Sequence, residues 1–305
     1  MSSAILTTEL GKDYGKFTAV NSLTLDIPRG EVFGLLGPNG AGKTTTIMML
    51  LGNIRPSRGR AEILGLPIGT VAIRKKIGFL PEKFQFHDFL TANEFLHLHG
   101  KLTGMSREAR NKRVPEVLER VGLAEREKSK IREFSKGMQQ RIGIGQAILH
   151  NPDLVILDEP TSALDPLGRR DVRDIVLNLK AEGKTVVLNS HLLSEIEMTC
   201  DRVAIIKNGR VAVQGAIGEL LASALTVDIE VRNLNDSALA ALRSIAAKLK
   251  FDRVPITKLT VWVKREEDIP DLSRALIQNG VSLLSLIPKK ETLEDLFLRV
   301  VEDNN

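Results

Sequence analysis

Short apolar runs separated by polar turns fill the first 220 residues. Val32-Phe33-Gly34-Leu35-Leu36 has the unbroken character of a buried strand, and residues 46–51 that of a buried helix. Residues 5–8 and 23–27 alternate or run apolar as strands do, and residues 59–65 and 76–80 predict two more. Thr91, with Glu94 three positions on, has the spacing of a helix capping box. A charged helical stretch then runs to about residue 131, broken at Thr103-Gly104 and at Val121-Gly122-Leu123. An Ile/Gly/Ala-rich helix ends at Leu149, and the apolar strand 154–157 closes on Asp158-Glu159-Pro160. A helix after Pro166, a strand over 185–188 and a hairpin of 203–206 with 211–213 across an Asn208-Gly209 turn complete the run. Strands alternating with helices predict an α/β fold.

The pattern changes after about Leu221. Residues 226–232, 259–263 and 281–287 predict strands; 238–249 and 269–278 predict helices. A last helix, starting near Thr292, puts Leu293, Leu296, Phe297 and Val300 on one face. Alternation in Val261-Trp262-Val263 sends Trp262 to the face opposite the valines. Some 80 residues of α+β pattern offer little core, so this module is expected to pack on the first domain or on a partner. The predicted domains are residues 1–220, with a helical subdomain at about 91–150, and residues 221–305.

Composition adds little to the class and something to the partners. A chain of 305 residues suggests about two domains. No run approaches the ~18 apolar residues of a membrane span, and residues 1–9 lack the basic and apolar regions of a signal peptide. Cys200 is the only cysteine, which excludes a disulfide framework and fits a reducing cytosol. Residues 100–141 carry 12 Lys+Arg against 6 Asp+Glu, while residues 221–305 carry 12 against 13, so the excess of +5 is centred on the helical stretch. Two readings stand: a solvated helical surface, or a face near anionic lipid. Nucleic acid is disfavoured, because aromatic residues are 4% and none interleave with the basic run.

The chemistry centres on Gly37-Pro38-Asn39-Gly40-Ala41-Gly42-Lys43-Thr44-Thr45, a GxxxxGK[ST] loop between strand and helix. Gly37, Gly40 and Gly42 let the backbone turn and approach a phosphate. Successive amides and a helix N-terminus then face the anion. Lys43 supplies charge to β- and γ-phosphates, and the Thr44 hydroxyl is placed for magnesium. Asp158 and Glu159 end a strand where open α/β sheets build nucleotide sites. Ser190-His191 ends another. Tyr14, the only tyrosine, either stacks on a purine or is a surface aromatic. His87, His97, His99 and His150 lack metal-ligand spacing and are taken as surface or packing residues.

Taken in order, Tyr14, GPNGAGKTT, LPE at 80–82, FSKGMQQR at 134–141, LVILDEP at 154–160, SALD at 162–165 and SH at 190–191 resemble the ATP-binding subunit of ABC transporters over about residues 4–220. The tail with Glu291-Thr292-Leu293-Glu294-Asp295-Leu296-Phe297 resembles exporter-type ATPases that work with a separate membrane subunit. The resemblance implies a P-loop ATPase fold with an antiparallel β subdomain and a helical subdomain, ATP and Mg2+ as ligands, and residence on the cytoplasmic face of the membrane. It also implies a permease partner, contact with the membrane through that permease, and a second copy of the chain with two nucleotides sandwiched between. Tyr14 would stack on adenine; Lys43 and the loop would hold phosphates; Thr44 and Asp158 would hold magnesium. Glu159 would orient or deprotonate water, and His191 would contact the γ-phosphate. Ser135 and Gly137 would close on the other subunit's ATP, and Asp165 would link the two sites. Two departures stand out: Lys136 and Met138 replace residues of the usual LSGGQ signature, and Glu82 replaces a glutamine in the loop facing the membrane subunit. A soluble ABC ATPase uncoupled from transport is the alternative. One P-loop, one signature and no sustained heptads weigh against it.

Overall fold

Two long strands, β1 (Ser3–Tyr14) and β2 (Phe17–Pro28), open the chain as an antiparallel hairpin whose last pair is Tyr14 with Phe17. The computed structural model describes residues 2–221, 225–246, 248–254, 256–263 and 265–302. The first strand runs well past residue 8, where alternation in the sequence stops. Its register shifts between Thr7 and Leu10 and again between Leu10 and Lys12, and Glu9 takes a left-handed φ of 49°. Bulges of this kind break the period-2 pattern without ending the pairing. Tyr14 is therefore the last residue of β1.

After β3 (Val32–Leu36) come α1 (Lys43–Leu50), β4 (Arg58–Ile63), β5 (Leu66–Pro67), α2 (Val71–Arg74) and β6 (Ile77–Leu80). Helices α3 (Ala92–Leu102), α4 (Arg107–Arg120) and α5 (Lys136–Ile148) form the helical stretch. Next are β7 (Leu154–Asp158), α6 (Pro166–Ala181), β8 (Thr185–Asn189), α7 (Leu193–Thr199), β9 (Arg202–Lys207) and β10 (Arg210–Ala216). One sheet has the order β2–β1–β4–β5. The other, β10–β9–β3–β8–β7–β6, is parallel except for β10. Strands β3, β7 and β8 are buried along their whole length, which is why they read as continuous apolar runs. Phe33 and Leu35 of β3, Ile156 of β7 and Val187 of β8 share one core with Ile47 and Met49 of α1 and with Ile5 and Leu25 of the antiparallel sheet. That core fixes β3 and α1 on either side of the glycine-rich loop.

The capping box at Thr91 forms. Its hydroxyl accepts from the Glu94 amide at 3.2 Å, and the Glu94 carboxylate accepts from the Thr91 amide at 2.9 Å. The loop between β6 and α3 is tied to this helix by rings: Phe84 and Phe86 lie 6.0 and 5.9 Å by centroid from Phe95, and Phe84 lies 5.9 Å from His99. His99 is thus a packing residue, with its Nε2 buried and unpartnered.

The described chain divides into two compact units, Met1–Ala216 with Arg299–Asn305, and Ile217–Leu298. The second begins with α8 (Ile217–Leu221), β11 (Leu225–Arg232), α9 (Asp236–Ile245) and β12 (Lys248–Val254). It continues through β13 (Ile256–Val263), α10 (Ile269–Gln278), β14 (Ser282–Lys290) and the first residues of α11 (Leu293–Glu302), whose residues from Arg299 on are counted with the first unit. The helix expected over 238–249 is corrected. It stops at Ala246, which is extended (φ −78°, ψ 136°), and the following residues pair with β13 as an antiparallel strand. The expectation of little core is corrected too. Val227, Ile229 and Val231 of β11, Leu259, Val261 and Val263 of β13, Leu239 and Leu242 of α9, and Leu272 and Leu276 of α10 close an apolar cluster of the unit's own. Two helices layered on one sheet face suffice for this. Trp262 is half-buried between two buried valines. In α11, Leu293 and Leu296 are buried, while Phe297 and Val300 are half-buried.

Burial, with a smaller effect from His87, holds the His99 pKa down at about 4, against 6.5 for a free imidazole. Between those values the unfolded chain takes a proton that the folded chain refuses, so stability is lost as pH falls from 6.5 towards 4. His99→Leu should flatten this part of the stability–pH curve. Urea midpoints at pH 7 and pH 4.5 for both proteins measure it; parallel curves would contradict the assignment.

Candidate phosphate-binding and catalytic site

The loop after β3 is held from behind. Ala41 donates its amide to the Pro38 carbonyl at 3.1 Å and accepts from the Gly209 amide at 3.0 Å. Gly42 caps α1 with φ 102°. A Cβ there would lie 2.5 Å from the Ala19 carbonyl oxygen, and one at Gly37 would lie 2.3 Å from that of Ile206. These contacts are with backbone, so no side chain can swing aside. Pro38, Asn39 and Gly40 form the outer turn, with Asn39 and Gly40 exposed. The first amides of α1, at Lys43, Thr44 and Thr45, have no carbonyl a turn back within the helix, and Gly42 brings no side chain to cap them. Unpaired amides at the positive end of a helix dipole make a site for an anion. The Lys43 ammonium donates to the carbonyls of Gly37 at 2.7 Å and Pro38 at 3.1 Å. Burial lowers its pKa, and the charges of Glu159 and Asp158 act to raise it.

Opposite lies the acidic edge. Parallel pairing of Leu80 with Leu157 and of Asp158 with Asn189 brings the ends of β6, β7 and β8 into line. Asp158 is 3% exposed and accepts a hydrogen bond from the Asn189 side-chain amide. Its pKa is raised first by burial, which outweighs the bond from Asn189; the negative charge of Glu82 raises it further, while Lys43 and the Glu82 main-chain amide act to lower it. Glu159, whose side chain is 13% exposed, sits in the left-handed region at φ 55°, and its amide donates to the Asn189 carbonyl at 2.8 Å. Its carboxylate lies 2.7 Å from His191 Nδ1. Burial raises the Glu159 pKa; the His191 charge and hydrogen bond lower it, and Asp158 and Glu82 add repulsion. His191 has 65% of its side chain exposed, so it can reach outward from the site.

Three carboxylates and one ammonium leave this edge short of positive charge. Among the described residues no three His, Cys, Asp or Glu side chains cluster as a metal site. The donor set fits magnesium held in its usual way with nucleotides, by one or two protein oxygens together with phosphate oxygens and water. Asn189 Oδ1, buried and without a hydrogen-bond donor, is a further acceptor at the same place.

Ser135, Gly137 and Asp165 come together elsewhere, along one groove of about 390 Å³ that also takes in Ala163 and Leu164. Ser135 caps α5, accepting from the Met138 amide at 3.3 Å, and Asp165 caps α6, accepting from the Gly168 amide at 2.8 Å. Tyr14 stands 48% exposed at the end of β1, with the Lys12 ammonium 5.1 Å from its ring centre. Asn189 is the residue that sequence reasoning passed over. The only signal for it was its place, two residues before His191 at the end of an apolar strand.

A glycine-rich phosphate loop facing an acidic strand end on a parallel sheet defines a P-loop nucleotide-hydrolysing protein. A family model described as ABC transporter matches residues 20–162. A linearmycin resistance ATP-binding protein of Bacillus subtilis is 38% identical over 95% of this chain and 95% of its own length. A Nod factor export ATP-binding protein of Ralstonia nicotianae is 34% identical over 98% and 94%. A solved ATP-binding subunit of an ABC transporter, 33% identical, aligns with a TM-score of 0.65 over 72% of this chain and 92% of that one. The chain belongs to the ABC transporter family as an ATP-binding subunit, an ATPase that powers transport. Among the described residues no helix is long and apolar enough to cross a membrane.

Gly42→Ala forces a left-handed Cβ against the Ala19 carbonyl, a strain of about 1–3 kcal/mol before any clash is relieved. The variant should melt lower and lose ATP binding; native affinity by calorimetry would contradict the loop geometry.

Proposed function

We propose that this chain drives export through a separately encoded transmembrane permease. On this reading it sits at the cytoplasmic face of the membrane as a peripheral subunit and touches the membrane through the permease. Residues 1–220 serve as the ATPase domain and residues 221–305 as an accessory domain. The direction of transport is supported by the exporter-like tail and by relatives named for linearmycin resistance and Nod factor export. The observation that carries the catalytic reading is Glu159, bonded to His191 at 2.7 Å and coupled in charge to Lys43.

Lys43 and the amides of residues 37–45 hold the β- and γ-phosphates, and Tyr14 stacks on adenine. Thr44 and Asp158, with Glu82 alongside, would hold magnesium, which would neutralise phosphate charge when bound. The water oxygen attacks the γ-phosphorus, the bond to the β–γ bridging oxygen breaks, and the water proton passes to the Glu159 carboxylate. ADP and inorganic phosphate leave. Raising the Glu159 pKa by burial makes it a better proton acceptor at neutral pH. His191 orients Glu159 and the γ-phosphate. Two copies sandwich two nucleotides, with Ser135 and Gly137 of one copy closing on the ATP of the other and Asp165 linking the sites. A helix N-terminus after Ser135 suits that anion contact.

Glu159→Gln should keep ATP binding and lose about 10²–10⁴-fold in kcat; hydrolysis at the native rate, followed by phosphate release, would remove Glu159 from its role. Ser135→Arg puts a bulky cation into the closing surface and should abolish ATP-driven dimerisation in gel filtration. Persistence of the dimer would count against the sandwich.

A further inference from the structure

We propose that Asn189 is a positioning residue that fixes the direction in which Asp158 presents its carboxylate to the nucleotide-bound cation. The proposal rests on the reading of Asp158 as a cation ligand. Asn189 is 3% exposed at the end of β8 and faces Asp158 in the parallel register. Its side-chain amide donates to Asp158 Oδ1 and so fixes the plane in which the carboxylate faces the site. The amide cannot be reversed without setting an uncharged acceptor against a carboxylate. On the other side β8 pairs with β3, where Asn189 meets Leu35 two residues before the phosphate loop. One buried residue thus sits between the strand that carries the phosphate loop and the strand that carries the acidic pair.

The same residue holds Glu159 through its main chain, by the 2.8 Å bond from the Glu159 amide to the Asn189 carbonyl. A side-chain substitution removes the first link and spares the second. Carboxylate ligands depend on such hydrogen-bond partners for their orientation, and losing one commonly weakens metal binding about 10–100-fold. A purely structural asparagine would instead affect folding and every form of nucleotide binding alike.

The test uses the full chain, with ATP binding followed by calorimetry in EDTA and then across a magnesium titration. Asn189→Leu keeps the branched shape and removes the donor; Asn189→Ser keeps a shorter donor. Asn189→Leu should bind ATP in EDTA as the native protein does, yet need about 10–100-fold more magnesium for the metal-dependent gain in affinity. Asn189→Ser should recover most of that loss. Native magnesium dependence in Asn189→Leu overturns the proposal, as does an equal loss in both variants. Should Asn189→Leu fail to fold by circular dichroism, Asn189→Ala, which also removes the donor, takes its place and is read by the same outcomes. Asp158→Asn separates the two levels. If it too has native magnesium dependence, the assignment of Asp158 as a ligand is what fails; if it loses that dependence while Asn189→Leu does not, only the role of Asn189 falls.

Discussion

Negative charge gathered at one edge of a buried sheet governs this structure. Asp158 closes β7, Glu159 follows it and Glu82 follows β6; Glu82 raises the proton affinity of both others, and Asp158 raises that of Glu159. A nucleotide would bring more negative charge to the same edge. In a low-dielectric setting such repulsion is costly unless positive groups are held in place beforehand. Lys43, the amides opening α1 and the donors from Asn189 and His191 are those groups. Each is held by an element packed into the core, so the charge balance depends on the sheet order β3–β8–β7–β6.

This dependence explains the backbone around the site. Glu159 and Ala163 both take left-handed φ values, 55° and 57°, which side-chain-bearing residues seldom adopt. The turn after β7 must reverse direction within a few residues and still aim the Glu159 carboxylate at His191. Its amide bond to the Asn189 carbonyl helps hold the unfavourable conformation. Local strain of this sort persists where surrounding structure over-determines it, and the buried strands on both sides supply that constraint.

How much the sequence disclosed follows from the range of each signal. The phosphate loop, the capping box at Thr91 and the buried strands were legible because their residue types and spacings are local requirements of turn, helix end and core. The second half of β1 was hidden because bulges shift its register. Residues 248 and 249 were absorbed into a helix, and the rest of 248–254 went unassigned, because Ala238 to Ile245 sets a strong helical period. Nothing before Ala246 signals that the chain turns extended and pairs with β13. The grouping of Glu82, Asp158, Glu159, Lys43 and His191 was inferable from motif order. The link through Asn189 was not, because it depends on which strands are neighbours, a property of topology and not of spacing along the chain.

The two departures from the family pattern differ in physical weight. At the signature, the hydrogen bond that starts α5 runs from the Met138 main-chain amide to the Ser135 hydroxyl, so the cap does not depend on which side chain stands at 138. Lys136 occupies the first position of the same helix and lines the groove with Gly137 and Asp165. A cation at a helix N-terminus opposes the dipole by a few tenths of a kcal/mol to about 1 kcal/mol, yet it adds positive charge where an anion would be received. Glu82 is different, because it changes the charge of the acidic edge itself. Its main-chain amide stabilises ionised Asp158 while its carboxylate repels both Asp158 and Glu159. A neutral amide in the same place would give only the first effect. On the proposed reading, in which a nucleotide-bound cation meets this edge, Glu82 would raise both the cost of the metal-free edge and the gain when the cation arrives, so occupancy would depend more sharply on the metal than with a glutamine.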